Sequence, residues 1–315
     1  ATKNSVNLAY LTMAMQLDLC SIMQGAEQIG IHKAGGNSGE GTPDSYPANV
    51  IGTNSIAPLS MAAAFATFAA NGTYCAPIAI TSVQNADGAE LPVPSAGCTQ
   101  AFDPKYASAL TFALKNVWQG TAKGVTPPPF ATAGKTGTTS ENEHTWFVGY
   151  TPLRAAAVWV GYSEGWRPVQ DVRINGTFVR NAYGATIAAP TWSRFMTEAL
   201  AGAANPDFAA PGDKEVFGEK IAVPSVVGLN EGDARSKLSD AGFRASIAPE
   251  QVGSALPAGT VVSQSPSGTA VRGSFVTLTL SNGQAPVAPV DPNQPGQGLP
   301  GGGRPVVPGP PTQGR

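Results

Sequence analysis

The sequence predicts an α/β (α+β) fold: a large unit with an antiparallel sheet and a helical subregion, followed by a small βαββ unit. Three observations carry this. Helical patterns cluster before and after a run of three strand-like segments instead of alternating with them, which argues against a parallel βαβ repeat. A polar connector at 203–221, with Pro206, Pro211 and Gly212, separates residues 1–202 from a compact stretch at 222–283. The remainder, 284–315, holds 9 Pro and 7 Gly in 32 residues. It cannot bury enough apolar surface to offset its ordering entropy and is expected to be a disordered tail.

The elements follow in order. Asn7 to about Gln16 reads as a helix entered from a Ser-Val-Asn loop. Asp18 is placed to N-cap a second helix with an apolar face at Ile22, Ala26 and Ile29, closed by Gly30. Residues 35–54 are rich in Gly, Ser and Asn and read as a loop. Pro58–Ala70 is a small-residue helix that stops at Asn71-Gly72, and Pro104–Gln119 is a helix with Tyr106, Leu110, Phe112, Ala113 and Val117 directed inward. Strands follow at about Ala131–Thr138, Thr145–Tyr150 and Ala155–Tyr162, the last two joined by the short Thr151–Arg154 turn. A helix from Pro190 carries Trp192, Phe195, Met196 and Leu200 on one stripe. In the second unit, Asn230 caps a helix with Ala234, Leu238 and Ala241 inward and Gly242 at its end. Strands are expected near Arg244–Ala248, Val261–Ser265 and Ser274–Leu280.

Cys75 and Cys98 are centred on the turn Asn85–Gly88, between the apolar stretches Ile78–Val83 and Ala89–Val93. A hairpin there sets the two cysteines opposite each other. A disulfide closing that loop contributes roughly 3 kcal/mol and implies an oxidising, extracytoplasmic setting; the alternative is two unpaired thiols. Cys20, in a helical pattern, is expected to be a buried thiol.

Bulk properties narrow the function. Hydrophobic residues make up 42% of the chain, charged residues 13%, and the net charge is -2. That balance gives no case for nucleic acid or an anionic membrane surface. No apolar run is long enough to span a bilayer; Met61–Ala70 is too short and is interrupted by Thr67. His32 and His144 stand apart from any Cys or acidic cluster of metal-ligand spacing, so neither a metal nor another cofactor is expected.

Two motifs carry chemistry. Ser5-Val6-Asn7 lies at a loop-to-helix entry, where a serine hydroxyl can relay a proton and an asparagine amide can orient a carbonyl. Lys135-Thr136-Gly137-Thr138 lies in a predicted strand, where side chains alternate in direction. Lysine supplies a positive charge, and the two threonine hydroxyls can grip a carboxylate. Gly134 and Gly137 leave room for a substrate backbone alongside, and the Thr138 N–H can polarise a carbonyl. Alone, Ser-x-Asn is usually a helix cap and Lys-Thr-Gly a surface turn. Together, in this order, they match two of three motifs of serine acyl-transferases that attack D-alanyl peptides and β-lactams. The third, Ser-x-x-Lys, is absent: no Ser in the chain has Lys three positions later.

The surrounding sequence resembles the transpeptidase domain of class A (bifunctional) penicillin-binding proteins, and in particular their actinobacterial and mycobacterial members. The resemblance rests on Gly52–Ala62, Tyr74–Pro77, Val117–Ala122, Ala133–Thr139 and Trp146–Pro152, and covers about residues 1–202. One departure is His144-Thr145 before Trp146-Phe147, where an acidic or amide residue is expected. The resemblance implies a penicillin-binding/serine β-lactamase-like fold and a peptidoglycan D,D-transpeptidase that needs no cofactor. A serine missing here would attack the D-Ala-D-Ala bond of a stem peptide, and an amine from a neighbouring stem would capture the acyl-enzyme. It implies that Ser5 passes the proton to the leaving amine, Asn7 holds the substrate amide, and Lys135 supplies positive potential near Ser5. Thr136 and Thr138 would bind the terminal carboxylate beside Gly137, with the Thr138 N–H in the oxyanion hole. β-Lactams would enter as mimics of the dipeptide. The chain is read as a C-terminal piece without its nucleophile, from a parent anchored in the membrane and facing the cell wall.

Ala222–Leu229, Gly259–Pro266 and Gly268 resemble a PASTA domain. A muropeptide ligand there and a spacer without ligand are both open. The competing readings are a D,D-carboxypeptidase or β-lactamase-like hydrolase, and a non-catalytic PASTA-bearing wall-binding protein.

Overall fold

The computed structural model describes residues 1–34 and 41–285. They form two compact units, one spanning Ala1–Glu219 and the other beginning at Lys220. The tail expected from 284 onward lies almost wholly outside the described residues, as does the 35–40 part of the expected loop.

The first unit opens with a 3-10 turn at Thr2–Asn4. Ser5, in the left-handed region at φ 52°, leads from it toward helix α1 (Asn7–Ala14). Helix α2 (Leu19–Gln28) starts at the expected cap, where the Asp18 carboxylate accepts the Ser21 N–H at 2.8 Å. Met23 is its buried residue, with Ile22, Ala26 and Ile29 half-buried beside it. Cys20 is exposed, not buried as expected. It lies well round the helix from that stripe, because two residues at about 100° each carry position 20 to nearly the opposite side from Ile22.

Helix α3 (Pro58–Ala69) ends at Asn71 and Gly72, with φ of 53° and 88°. A Cβ on Gly72 would lie 2.2 Å from the Phe102 carbonyl, so only glycine lets the chain pass. Four short strands follow: β1 (Thr73–Tyr74), β2 (Val83–Gln84), β3 (Glu90–Leu91) and β4 (Thr99–Gln100). They nest as antiparallel pairs β1–β4 and β2–β3. Cys75 and Cys98 are bonded just inside the outer pair, with Cα atoms 4.1 Å apart. The strands are shorter than the apolar stretches around the turn, and Ile78 and Ile80 stay exposed.

Helix α4 (Pro104–Leu114) continues into a 3-10 turn at Lys115–Gln119. Its buried line is Ala107, Thr111, Leu114 and Val117. Tyr106, Leu110 and Phe112, expected inward, are exposed. The inner face uses small residues and a threonine whose hydroxyl is satisfied at depth. Thr111 Oγ1 donates to the Ala107 carbonyl at 2.8 Å and stands 2.7 Å from the Tyr150 hydroxyl.

The central sheet is antiparallel, in the order β5 (Ala133–Thr138), β6 (His144–Tyr150), β7 (Ala155–Gly161). Its register pairs Lys135 with Val148, Thr136 with Phe147 and Gly137 with Trp146. The Thr151–Arg154 turn is closed by Thr151 Oγ1, which accepts the Leu153 and Arg154 N–H groups at 3.1 Å each. A hairpin that the sequence reading did not include follows: β8 (Gln170–Ile174) and β9 (Thr177–Asn181), turning at Asn175-Gly176. Helix α5 (Ala188–Ala199) places Pro190 in its first turn and buries Trp192, Met196 and, just past its end, Leu200. The Trp192 and Phe147 rings lie 5.1 Å apart, and the indole N–H donates to the Ala156 carbonyl at 3.0 Å. Phe195, expected on that stripe, is exposed; one residue before Met196, it turns off the buried line. A short helix α6 (Asp213–Phe217) closes the unit.

The second unit contains β10 (Lys220–Ala222), α7 (Glu231–Asp240), β11 (Arg244–Ile247), β12 (Val261–Ser265), β13 (Thr269–Val271) and β14 (Phe275–Leu280). Strand β14 runs between β11, parallel to it, and β12, antiparallel. The short β10–β13 pair adds to the expected βαββ order. Asn230 caps α7 by accepting the Asp233 N–H at 2.9 Å. Ala234 and Leu238 pack with Val226, Phe243, Val261, Val276 and Leu278 in a core of their own.

Candidate active site

Among the described residues, strand β5 has a hydrogen-bonded neighbour, β6, on one side only. Near it runs the N-terminal segment, which brings Ser5 and Asn7 into place. The carbonyl of Lys3 accepts the Thr121 N–H at 3.1 Å. A Cβ on Gly120 would sit 1.9 Å from that same carbonyl, so glycine is required for the approach. Thr2 Oγ1 and the Tyr10 hydroxyl, 2.6 Å apart, tie the opening turn to α1.

These contacts set Ser5 opposite Lys135. The ammonium of Lys135 donates to Ser5 Oγ at 2.7 Å and to the Thr136 carbonyl at 2.9 Å. Burial, which penalises the charged form, holds the Lys135 pKa below the ordinary 10.5. Thr136 is buried and donates to Thr121 Oγ1 at 2.6 Å. The Thr138 hydroxyl accepts the Gly184 N–H at 3.1 Å.

Ser5, Asn7, Thr121, Thr136 and Thr138 line one cleft of about 330 Å³, closed on another side by Tyr183-Gly184-Ala185. Residues 5, 7, 135, 136 and 138, far apart in sequence, thus converge. Gly137 lies between the two threonines, and a Cβ there would meet the Trp146 Cβ at 3.2 Å. Gly134 has a different role from the one expected. A Cβ there would stand 2.8 Å from Phe147 Cζ and 2.9 Å from the Val148 carbonyl, so its smallness serves internal packing and not substrate approach.

Thr121 and the 183–185 wall were not singled out from the sequence. The wall is held by Asn142, buried and left-handed at φ 59°. Its amide donates to the Ala182 carbonyl at 2.7 Å, and its side-chain oxygen accepts from Gln170 Nε2 at 3.0 Å. A Cβ on Gly184 would lie 2.5 Å from the Trp146 carbonyl and 2.9 Å from Thr136 Cβ, so the wall lies directly against the sheet. At the departure position, His144 Nδ1 accepts the Trp159 indole N–H at 3.3 Å, and Trp166 stands edge-on to its ring at 5.2 Å. The neighbouring Glu143 carboxylate accepts the Thr139 hydroxyl at 2.6 Å, which lowers its pKa. Among the described residues no cluster of His, Cys, Asp and Glu could hold a metal ion, and no helix is long and apolar enough to cross a membrane.

Comparison with known proteins places this geometry. The family model of the penicillin binding protein transpeptidase domain matches residues 1–188, and that of the PASTA domain matches 221–282. Penicillin-binding protein 1A of Neisseria cinerea is 33% identical over 170 residues, covering 51% of this chain and 20% of its own length. Its counterpart in Aquifex aeolicus is 25% identical over 212 residues, covering 67% of this chain and 27% of its own length. The chain therefore spans only a fifth to about a quarter of those relatives. The solved structure of PonA1 from Mycobacterium tuberculosis in complex with penicillin V aligns with a TM-score of 0.60 at 27% identity, over 69% of this chain and 60% of that one. The chain belongs to the penicillin-binding protein transpeptidase family and carries a PASTA domain after the transpeptidase region.

Proposed function

We propose that this chain is the C-terminal part of a peptidoglycan D,D-transpeptidase and β-lactam target. The observation that carries the reading is the contact between Lys135 Nζ and Ser5 Oγ, with Ser5 lining one cleft together with Thr136 and Thr138.

The nucleophile is a serine of a Ser-x-x-Lys motif, which these 315 residues do not contain. Its oxygen bonds to the carbonyl carbon of the penultimate D-Ala, the peptide C–N bond breaks, and the departing amine takes up a proton. Ser5, hydrogen-bonded to the charged Lys135, delivers that proton. Asn7 orients the substrate amide. The Thr138 hydroxyl, which accepts from Gly184 and keeps its own proton to donate, binds the terminal carboxylate beside Gly137; the Thr136 hydroxyl joins it on turning its proton from Thr121, and the Thr138 N–H stabilises the oxyanion. An amine from a neighbouring stem then attacks the ester and restores the serine.

The partners are D-Ala-D-Ala stem peptides and β-lactams, with a muropeptide at the PASTA domain. The protein works on the extracytoplasmic face of the membrane, anchored by a segment outside this chain, and the Cys75–Cys98 bond fits that oxidising setting. A fluorescent penicillin tests the reading. The intact protein labels covalently, while this chain, without the nucleophile, does not. Covalent labelling of the chain alone would mean the nucleophile lies within these residues and the assignment is wrong.

A further inference from the structure

Beside the catalytic cleft lies a larger concavity of about 570 Å³, bounded by the β8–β9 hairpin and the first turns of α5. Two exposed guanidiniums line it, Arg180 from β9 and Arg194 from α5. No carboxylate lines it, and neither arginine has an ion-pair partner among the described residues. Phe178 and Tyr183 add largely exposed aromatic surface, and Thr186 and Thr191 add hydroxyls. Tyr183 also lines the catalytic cleft, so the two spaces adjoin at that residue. The size falls in the range of ligand sites, and two free arginines on one wall suit a carboxylate.

The order of chemical steps says what reaches this space. The departing D-Ala is a chain terminus and fills no more than the Thr136–Thr138 subsite. By microscopic reversibility the incoming amine follows the path of the departing one, but it belongs to a longer chain. The rest of that chain needs room beyond the carboxylate subsite. On the side of Tyr183–Ala185, that room is the arginine-lined concavity.

We propose that this concavity is the subsite for the acyl acceptor, a peptide bearing a primary amine and at least one carboxylate. The inference rests on the transpeptidase reading above. In the transfer step the acceptor nitrogen bonds to the acyl carbon and the ester C–O bond to the enzyme breaks. The amine loses a proton, and the serine oxygen regains one. Arg180 and Arg194 hold the acceptor carboxylate, and the aromatic surface of Phe178 and Tyr183 supports its apolar part.

The test uses the intact protein and a double variant, Arg180→Gln with Arg194→Gln. Both side chains are exposed, so the fold does not depend on them. The ratio of transfer to hydrolysis is measured with an acidic acceptor peptide and with the same peptide amidated at its carboxylates. The expected result is a fall of at least about tenfold for the acidic acceptor, the scale of one charge-assisted hydrogen bond, and less than about twofold for the amidated one. An unchanged ratio with the acidic acceptor, or an equal fall with both, overturns the proposal. Calorimetric binding of the acidic peptide separates this outcome from failure of the transpeptidase reading. If the unsubstituted protein does not react with penicillin, that reading falls. If it does not bind the acidic peptide, or the double variant binds it equally well, the subsite falls.

Discussion

Lys135 Nζ and Ser5 Oγ meet at 2.7 Å across 130 positions of sequence. The strand register fixes one partner, and a left-handed serine at the end of a 3-10 turn fixes the other. In the intact protein, Lys135→Ala and Ser5→Ala each reduce the second-order rate of penicillin acylation by at least about 100-fold, the typical worth of a positioned proton-transfer group. Circular dichroism of both variants remains native. A loss under about fivefold for Ser5→Ala would remove it from the proton path.

Burial lowers the Lys135 pKa from 10.5. The folded protein therefore binds fewer protons at this site than the unfolded chain between the lowered value and 10.5, and the site's contribution to stability rises with pH through that window. Activity runs the other way, because the charge is lost over the same interval. The alkaline limb of the acylation profile lies below 10.5, and Lys135→Arg, whose charge persists, moves it upward. A limb that does not move in Lys135→Arg belongs to another group.

The Thr138 hydroxyl accepts the Gly184 N–H while facing the cleft. Thr138→Ala removes the carboxylate contact and loosens the 183–185 wall, but leaves the backbone N–H of the oxyanion hole. It slows acylation by a penicillin more than by the same compound esterified at its carboxylate, and Thr138→Ser restores the difference. Equal slowing of both compounds would show that the hydroxyl is not a carboxylate ligand.

Thr111 and Tyr150 share a buried hydrogen bond, and burial pushes the tyrosine pKa up. Removing either side is not equivalent. Tyr150→Phe leaves Thr111 bonded to the Ala107 carbonyl and costs about 1 kcal/mol, whereas Thr111→Val strands the phenol hydroxyl and costs about 2–3 kcal/mol. Urea denaturation of the two variants gives the order.

Cys75 and Cys98 are bonded and Cys20 is exposed. A thiol reagent applied to the native, unreduced protein modifies one cysteine per chain, and peptide mapping places it at Cys20. Modification at Cys75 or Cys98 without reduction would contradict the bond.

What the sequence made legible was local or motif-borne. Asp18 and Asn230 cap helices because a short oxygen-bearing side chain before a helix has a local reason to be there. Lys135 and Ser5 could be paired only because both sit in recognisable strings. Faces were harder to assign. In α4, the apolar Tyr106 and Phe112 outrank Thr111 by hydropathy. The fold chose Thr111 because a partner hydroxyl 39 positions away satisfies it, and periodicity does not see such a partner. The β8–β9 hairpin had a visible signal, Asn175-Gly176 between alternating Val172, Ile174 and Phe178, and both turn residues are left-handed as that dipeptide favours. The 183–185 wall had no local signal. It is set by Asn142, 40 residues before Ala182.

The same asparagine has an evolutionary consequence. Asn142 and the Val169–Ala182 backbone pair close the base of the hairpin: Val169 N–H reaches the Asn142 carbonyl, and Ala182 N–H reaches the Val169 carbonyl, both at 3.0 Å. Everything between, residues 170–181, emerges from a sealed neck. The tip at Asn175-Gly176 is thus free to vary while the catalytic wall beyond the neck stays where it is, whereas Gln170 at the neck and Phe178 and Arg180 on β9 are tied to the wall and to the proposed acceptor subsite.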